Sequence, residues 1–462
     1  GKLAAIHVKT LFAQDAAEVE TFRLTAAAQR FSQLCDGIGA LGQLAKIQGV
    51  SKIDSFDDLV PLLFQHTVYK SYPTSLLDKG NFRALNRWLR NLTTREIDKV
   101  DLSRCTSIRE WLVTLQEQTD VYAIHTTGTS GKISVLPRTF GESRILANAF
   151  MARWQGFGAE RDVVLDPTSS EKIILISPGY RHGFYAANRT LDQIVALISD
   201  EAHTECMYDE TLDPDVLTLA GRIMTAEANG TIGQLKIAAA MLKNYQQVRQ
   251  RRASSHDEAE HFFERVFSKY QGRAIVVGTA TPSLWTWVNI GLKRGLKGIF
   301  SPDSLVAIGG GTKGAAIPAN WREIAAEVIG APVKQVYGMS ELCGVMTACD
   351  HGNYHVPPQI IPFVLDPESG NALPRNGTQT GRAAFFDLAV STYWGGFITG
   401  DQATIHWDGG CACGRRGAWF ESDIRRYSEV TGQDDKITCA GVPDAHLKAV
   451  EFLNRAVGEL PQ

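Results

Sequence analysis

The sequence predicts an α/β protein in which parallel sheets are flanked by helices and a small β subdomain follows. Three observations carry this. From about residue 119, short runs rich in Val and Ile alternate with stretches of helical spacing. Some of these runs end in glycine-rich turns, as at Leu305-Val-Ala-Ile308 followed by Gly309, Gly310 and Gly311. Such turns suit the carboxyl edge of a parallel sheet, where ligands collect. Beyond about residue 355 the chain becomes rich in Gly, Pro and Thr, with short strand candidates.

Taken in order, residues 1–118 read as mainly helical, because Ala16 to Leu44 and Ile108 to Gln118 place apolar residues at helical spacing. The core is expected over 119–428. Val121 to His125 is a strand candidate that leads into a loop of small residues, and Arg144 to Gln155 a helix. Lys172 to Ser177 reads as a fully buried strand. Gly233 to Arg252 reads as a long helix, and Arg249 to Arg252 followed by Glu258 to Glu264 as a solvated helical hairpin tip. Arg273–Val277, Leu305–Ile308 and Val333–Tyr337 are strand candidates. Pro282–Leu296 and Ala319–Ile329 are helix candidates.

Charge sets limits on partners. The 462 residues hold 47 Lys and Arg against 50 Asp and Glu, a net charge of −3. That balance gives no reason to expect nucleic acid or an anionic membrane. No apolar run approaches the ~20 residues that span a bilayer, and the first twenty residues lack a signal-peptide pattern. Eight cysteines are too few for a disulfide scaffold. A cytoplasmic protein is expected.

Four short stretches carry candidate chemistry. The first is His125-Thr-Thr-Gly-Thr-Ser-Gly-Lys132. Its glycines allow close backbone approach, its successive N–H groups can surround an anion, and Lys132 adds positive charge. With two residues between Gly128 and Gly131, it is not a Walker A loop. The second is the glycine turn at Gly309 to Gly311. The third is Tyr337-Gly-Met-Ser-Glu341, where a tyrosine can stack on a base and a glutamate can hold magnesium. The fourth is Thr399-Gly400-Asp401, whose carboxylate can accept from two ribose hydroxyls. Each alone also suits an ordinary turn.

Together, and in this order, the four resemble the adenylate-forming superfamily, with the phenylacetate–CoA ligase branch the nearest match, over about residues 119–442. The branch also carries Cys-x-Cys-Gly-Arg, similar to Cys411-Ala-Cys-Gly-Arg415. The resemblance implies an acid–thiol ligase that uses ATP and Mg²⁺ to convert a small, aromatic or apolar carboxylic acid to an acyl-adenylate. CoA or a carrier-protein thiol would be the acceptor. It implies that Thr126, Thr127, Gly128, Thr129, Ser130, Gly131 and Lys132 hold phosphates, with Thr127, Lys132 and Glu341 catalytic. Gly309, Gly310, Gly311, Tyr337, Gly338 and Ser340 would border the nucleotide. Glu341 would bind Mg²⁺, Asp401 the ribose, and His182, Phe184 or Tyr185 would line the carboxylate pocket.

Cys349, His355, Cys411 and Cys413 can complete a tetrahedral Zn²⁺ site, with His351 and Cys343 as alternative ligands. Four protein ligands imply a structural metal. Such a site would staple the loop after Glu341 to the loop after Asp401. The family's hinge arginine is replaced by Gln433, for which Arg425 or Arg426 could substitute. Only 20 residues follow Val442. Residues 429–462 are therefore expected to be a hinge and a short remnant, with the mobile C-terminal domain largely absent. Two alternatives remain open: a nucleotide- and carboxylate-binding homologue without turnover, and an adenylating subunit served by a separate transferase or reductase.

Overall fold

The computed structural model describes residues 8–126, 131–154, 170–234, 257–311, 316–431 and 452–453. The first long helix, Ala16–Leu34, starts where the Asp15 carboxylate accepts from the N–H groups of Ala17 and Glu18. Helices Phe82–Arg90 and Ile108–Gln118 are capped in the same way by Asn81 and Ser107. One strand, β1 (Phe64–Gln65), interrupts the helical region.

A hairpin of β2 (Ile124–His125) and β3 (Val135–Leu136) comes next. The main sheet is built from β4 (Leu175–Gly183), β5 (Thr204–Leu212), β6 (Val276–Ala280), β7 (Leu305–Gly309), β8 (Val333–Tyr337) and β9 (Met346–Thr347). Its order is β5-β4-β6-β7-β8-β9. All neighbours are parallel except β9, which returns antiparallel to β8.

Alternation along the strands explains why helices cover both faces. Leu175, Val276, Leu305 and Ala307 pack against Ile194, Val195 and Ile198 of helix Ala186–Ile198. Their neighbours Ile176, Val277, Val306 and Ile308 pack on the other face, against Phe263, Trp287 and Val328. Successive side chains on a strand point to opposite faces, so a strand covered on both, such as Leu305–Gly309, reads as a continuous apolar run.

The second sheet contains β10 (Tyr354–His355), β11 (Ile360–Leu365), β12 (Thr378–Asp387), β13 (Gly396–His406), β14 (Trp419–Phe420) and β15 (Arg425–Arg426). Its path is β10-β14-β13-β12-β11, with β15 and β1 also paired to β13. The N-terminal helices share this sheet's core: Phe31, Leu44, Trp88 and Trp111 lie in one cluster with Phe363, Phe385, Trp394 and Phe397.

Three expectations need correction. Val121 to His125 forms strand only at Ile124–His125, and it enters a hairpin. Thr204–Leu212 is an unforeseen edge strand. Glu258 to Glu264 is no solvated tip: it lies in a helix at 257–270 that buries Phe262, Phe263, Val266 and Phe267. The helix expected over Gly233 to Arg252 falls almost wholly outside the described residues. No described helix is long and apolar enough to cross a membrane.

Candidate active site

Because β4, β6, β7 and β8 run the same way, the residues after Gly183, Ala280, Gly309 and Tyr337 share one edge of the sheet. Gly310 turns the chain there at φ 71°, a conformation that favours glycine. Its carbonyl accepts from Thr281 Oγ1 at 2.9 Å, which ties the turns after β6 and β7 together. A side chain at Gly311 would meet nothing within 4 Å, so this turn is open to a ligand. Thr312 and the next three residues lie outside the described set.

The segment after β8 is held from beneath by Arg138. Its guanidinium, fully buried, donates to the carbonyls of Ser340 at 2.7 Å and Leu342 at 2.6 Å. Tyr393 donates to the Glu341 carbonyl at 3.2 Å. Gly338 sits close to Val345, whose side chain would be 3.3 Å from a Cβ placed there. Three successive carbonyls are thus pinned. The Glu341 side chain accepts no side-chain hydrogen bond among the described residues. Burial pushes its carboxyl above the ordinary range, while a hydrogen bond from its own N–H and the charges of Arg138, Lys70 and Arg426 pull the other way.

β13 delivers Asp401 to the same place. Thr399 Oγ1 donates to the Ala383 carbonyl at 2.7 Å and accepts from the Asp401 N–H at 3.0 Å, which sets the turn of the carboxylate. Tyr337 OH donates to Asp401 Oδ2 at 2.8 Å. The second oxygen meets Arg426 Nε at 3.2 Å. The arginine on Asp401 is therefore Arg426 and not Arg425. In the β13–β15 register Asp401 faces Arg426, while Arg425 turns outward and pairs with Asp423.

Of the phosphate-loop residues, Thr127, Gly128, Thr129 and Ser130 lie outside the described set. Thr126 and Ser134 close the hairpin: Thr126 Oγ1 accepts from the Ser134 N–H at 3.0 Å. Gly131 has φ 82° and packs near Arg222 of helix Pro214–Ala228. Lys132 Nζ donates to the Tyr72 carbonyl at 2.8 Å, so its ammonium is held by the N-terminal region.

The three pocket candidates separate. His182 is exposed. Phe184 is buried with the Arg189 guanidinium 4.3 Å from its ring centre, a core role. Tyr185 bridges to His125 and its ring lies 6.2 Å from that imidazole.

His125 was not singled out by the sequence beyond its place before the loop. Its Nδ1 lies 2.9 Å from the Thr126 carbonyl oxygen, so Nδ1 carries the proton and Nε2 the lone pair. Nε2 is buried without a hydrogen-bond partner. Burial pushes the imidazole down to about 4 from 6.5. The unfolded chain then binds more protons between those values, so stability present above pH 6.5 is lost as the pH falls. The advantage of wild type over His125→Gln in urea unfolding is expected to shrink by ~2 kcal/mol between pH 7 and 5. Parallel pH dependence in the two proteins would contradict this.

A second constellation lies at the far ends of the same segments. The ligand atoms of Cys349, His355, Cys411 and Cys413 all lie within 4.8 Å of one another. The Cys349 and Cys411 sulfurs are 3.8 Å apart, and Cys413 Sγ is 3.1 Å from His355 Nε2. A tetrahedron with Zn–S bonds of ~2.3 Å has edges of ~3.8 Å, whereas a disulfide needs ~2.05 Å. Asn353 Nδ2 donates to Cys411 Sγ at 3.4 Å. Cys343 is buried apart from this group and packs near Tyr393.

No family model and no curated protein matches the chain. Among solved structures it is similar to an open conformation of 2-hydroxyisobutyryl-CoA ligase in complex with 2-HIB-AMP and CoA. The identity is 11% over 87% of this chain and 69% of that one, with a TM-score of 0.48. It is also similar to ATP-bound MatB from Rhodopseudomonas palustris, at 15% identity, 64% and 46% coverage and a TM-score of 0.36. A long-chain-fatty-acid–CoA ligase, FadD1, from Archaeoglobus fulgidus matches at 15% identity, 66% and 50% coverage and a TM-score of 0.38. The chain thus spans half or less of the length of the last two. The fold class expected from the sequence, a helix-flanked parallel sheet joined to a β subdomain, is the one this chain has.

Proposed function

We propose that the chain adenylates a small carboxylic acid with ATP, in the manner of acid–thiol ligases. The observation that carries this reading is the 2.8 Å hydrogen bond from Tyr337 to Asp401. It joins two of the sequence stretches, on different sheets, beside the open glycine turn. A flat base beside Tyr337, with a ribose on Asp401, would direct its phosphates toward Glu341.

In the reaction, a carboxylate oxygen of the acid attacks the α-phosphorus. The bond to the bridging oxygen breaks, and pyrophosphate leaves with the electron pair. Catalysis of this kind is mainly positioning and charge neutralisation. Glu341 fits an oxygen ligand for Mg²⁺, because its side chain is a buried carboxylate and its backbone is fixed on both sides. Bound there, the ion would supply charge neutralisation at the phosphates. Arg426, through Asp401, holds the ribose acceptor in place. CoA, a carrier thiol or a partner enzyme would take the acyl group, and an aromatic or apolar acid would be its source.

The Cys349, His355, Cys411 and Cys413 set fits a structural zinc, by its donor chemistry and its 3.8 Å sulfur edge. It would staple the segment after Glu341 to the segment after Asp401.

The direct test is the product. Incubation with ATP, Mg²⁺ and an acid should yield AMP and an acyl-adenylate detectable by mass spectrometry. ADP as the only nucleotide product would refute adenylation, and ATP binding without turnover would favour the non-catalytic homologue. Tyr337→Phe removes one charged hydrogen bond, so the KM for ATP is expected to rise ~10-fold with a smaller change in kcat. Steady-state kinetics at varied ATP checks this.

A further inference from the structure

Away from this edge, a cavity of about 160 Å³ lies between helix Ala16–Leu34 and the antiparallel sheet. Its volume is close to the ~150 Å³ of a cavity that holds benzene. Phe12 and Val19 are among its apolar lining, and Glu20, Arg23, Arg375, Arg416 and Trp407 among its polar lining.

The charges on the polar wall do not balance. Glu20 accepts from Arg23 at 2.5 Å through one oxygen and from Arg375 at 2.6 Å through the other. Two guanidinium groups share one carboxylate, which leaves an excess positive charge. Asp57 attracts Arg375 from outside the lining, more weakly than Glu20 does. Arg23 spends its other bonds on the carbonyls of Pro357 and Pro358. Arg375 spends one on Pro362 and one on Glu20 of its five N–H groups. Its plane lies 4.3 Å from both the Phe56 and Trp407 ring centres, so only its edge remains for an acceptor. The Trp407 indole N–H is buried with no acceptor at all. A half-buried cation in excess and a buried, unspent donor both favour an anion, which would relieve both.

We infer that this cavity binds a small organic monocarboxylate, with its carboxylate on Arg375 and the Trp407 N–H and its apolar body against Phe12 and Val19. The excess of Arg23, Arg375 and the exposed Arg416 over Glu20 attracts an anion, and the apolar wall favours a carbon body bearing a carboxylate over inorganic phosphate. The site is separate from the adenylation site proposed above and does not depend on it. Phe12 also packs edge-on against His355 at 5.5 Å, so the ligand would sit one side chain away from the Cys–His cluster.

The test is calorimetric titration of the full chain, without ATP, using benzoate and its neutral analogue benzamide. Saturable binding of benzoate and none of benzamide is expected. Trp407→Phe keeps the ring and removes the N–H, so it should weaken benzoate about tenfold. Val19→Trp fills the cavity without touching a charge and should abolish binding. No saturable benzoate binding, or equal binding of benzamide, would overturn the inference. So would an affinity unchanged in Trp407→Phe and Val19→Trp, which would put the benzoate at another site such as the adenylation pocket.

Discussion

Chelating the zinc proposed for Cys349, His355, Cys411 and Cys413 is expected to cost more stability than any single substitution at the sheet edge. Structural zinc contributes ~10–16 kcal/mol in small zinc-folded peptides. Here the ligands come from segments that few backbone bonds otherwise join, since β10 and β14 pair over only two residues each. Without the metal, three buried or half-buried sulfurs and a buried imidazole would crowd together with little to balance them. Wild-type protein is expected to carry about one zinc per chain and to melt well below its native transition after chelation. Cys411→Ser should lose the zinc, while Cys206→Ser, a buried cysteine outside the cluster, should keep it. Metal analysis and thermal melts decide the matter. A wild-type protein without zinc, or a melt unmoved by chelation, would contradict the assignment.

Replacing Glu341 with alanine is expected to lower the rate of adenylation by ~10²–10³, the loss typical when one group that stabilises transition-state charge is removed. The effect should fall on kcat, because Glu341 would act on charge that develops at the phosphates. Asp401→Ala should behave differently. It strips acceptors from Tyr337 and Arg426 as well as from the ribose proposed to bind there, so the KM for ATP should rise by ~10–100-fold. Equal effects of both variants on KM alone would argue that Glu341 is only a structural residue of the turn.

Much of the parallel sheet was legible in the sequence because its strands are buried on both faces. Leu305–Gly309 is a short apolar run ended by glycines, and the structure places a strand there; the half-buried Val333–Tyr337 is also a strand, marked by Pro332 before it and Gly338 after it. Thr204–Leu212 was not legible: it is an edge strand with only Cys206 fully buried, so no apolar run marks it. Helix at Ala16 to Leu44 and at Ile108 to Gln118 could be read from spacing, although the first is two helices broken at residues 35–38, and Phe82–Arg90 was not read. The partner of these helices could not be read, because contacts such as Tyr69 OH to the Trp394 carbonyl join residues 325 apart. The stretches at 309–311, 337–341 and 399–401 announced themselves through glycine and acid placement, but the supports did not. Arg138, fully buried beneath the 337–341 segment, carries no motif. Choosing between Arg425 and Arg426 required the β13–β15 register, because neighbours on a strand face opposite ways.

Carboxylate-dependent exchange of labelled pyrophosphate into ATP tests the central claim most directly, run with Mg²⁺ across aryl and aliphatic acids. The account predicts exchange with at least one small acid, abolished by Glu341→Ala. ATP bound by calorimetry with no exchange for any acid would contradict it, and would leave a nucleotide-binding protein without adenylating chemistry of its own.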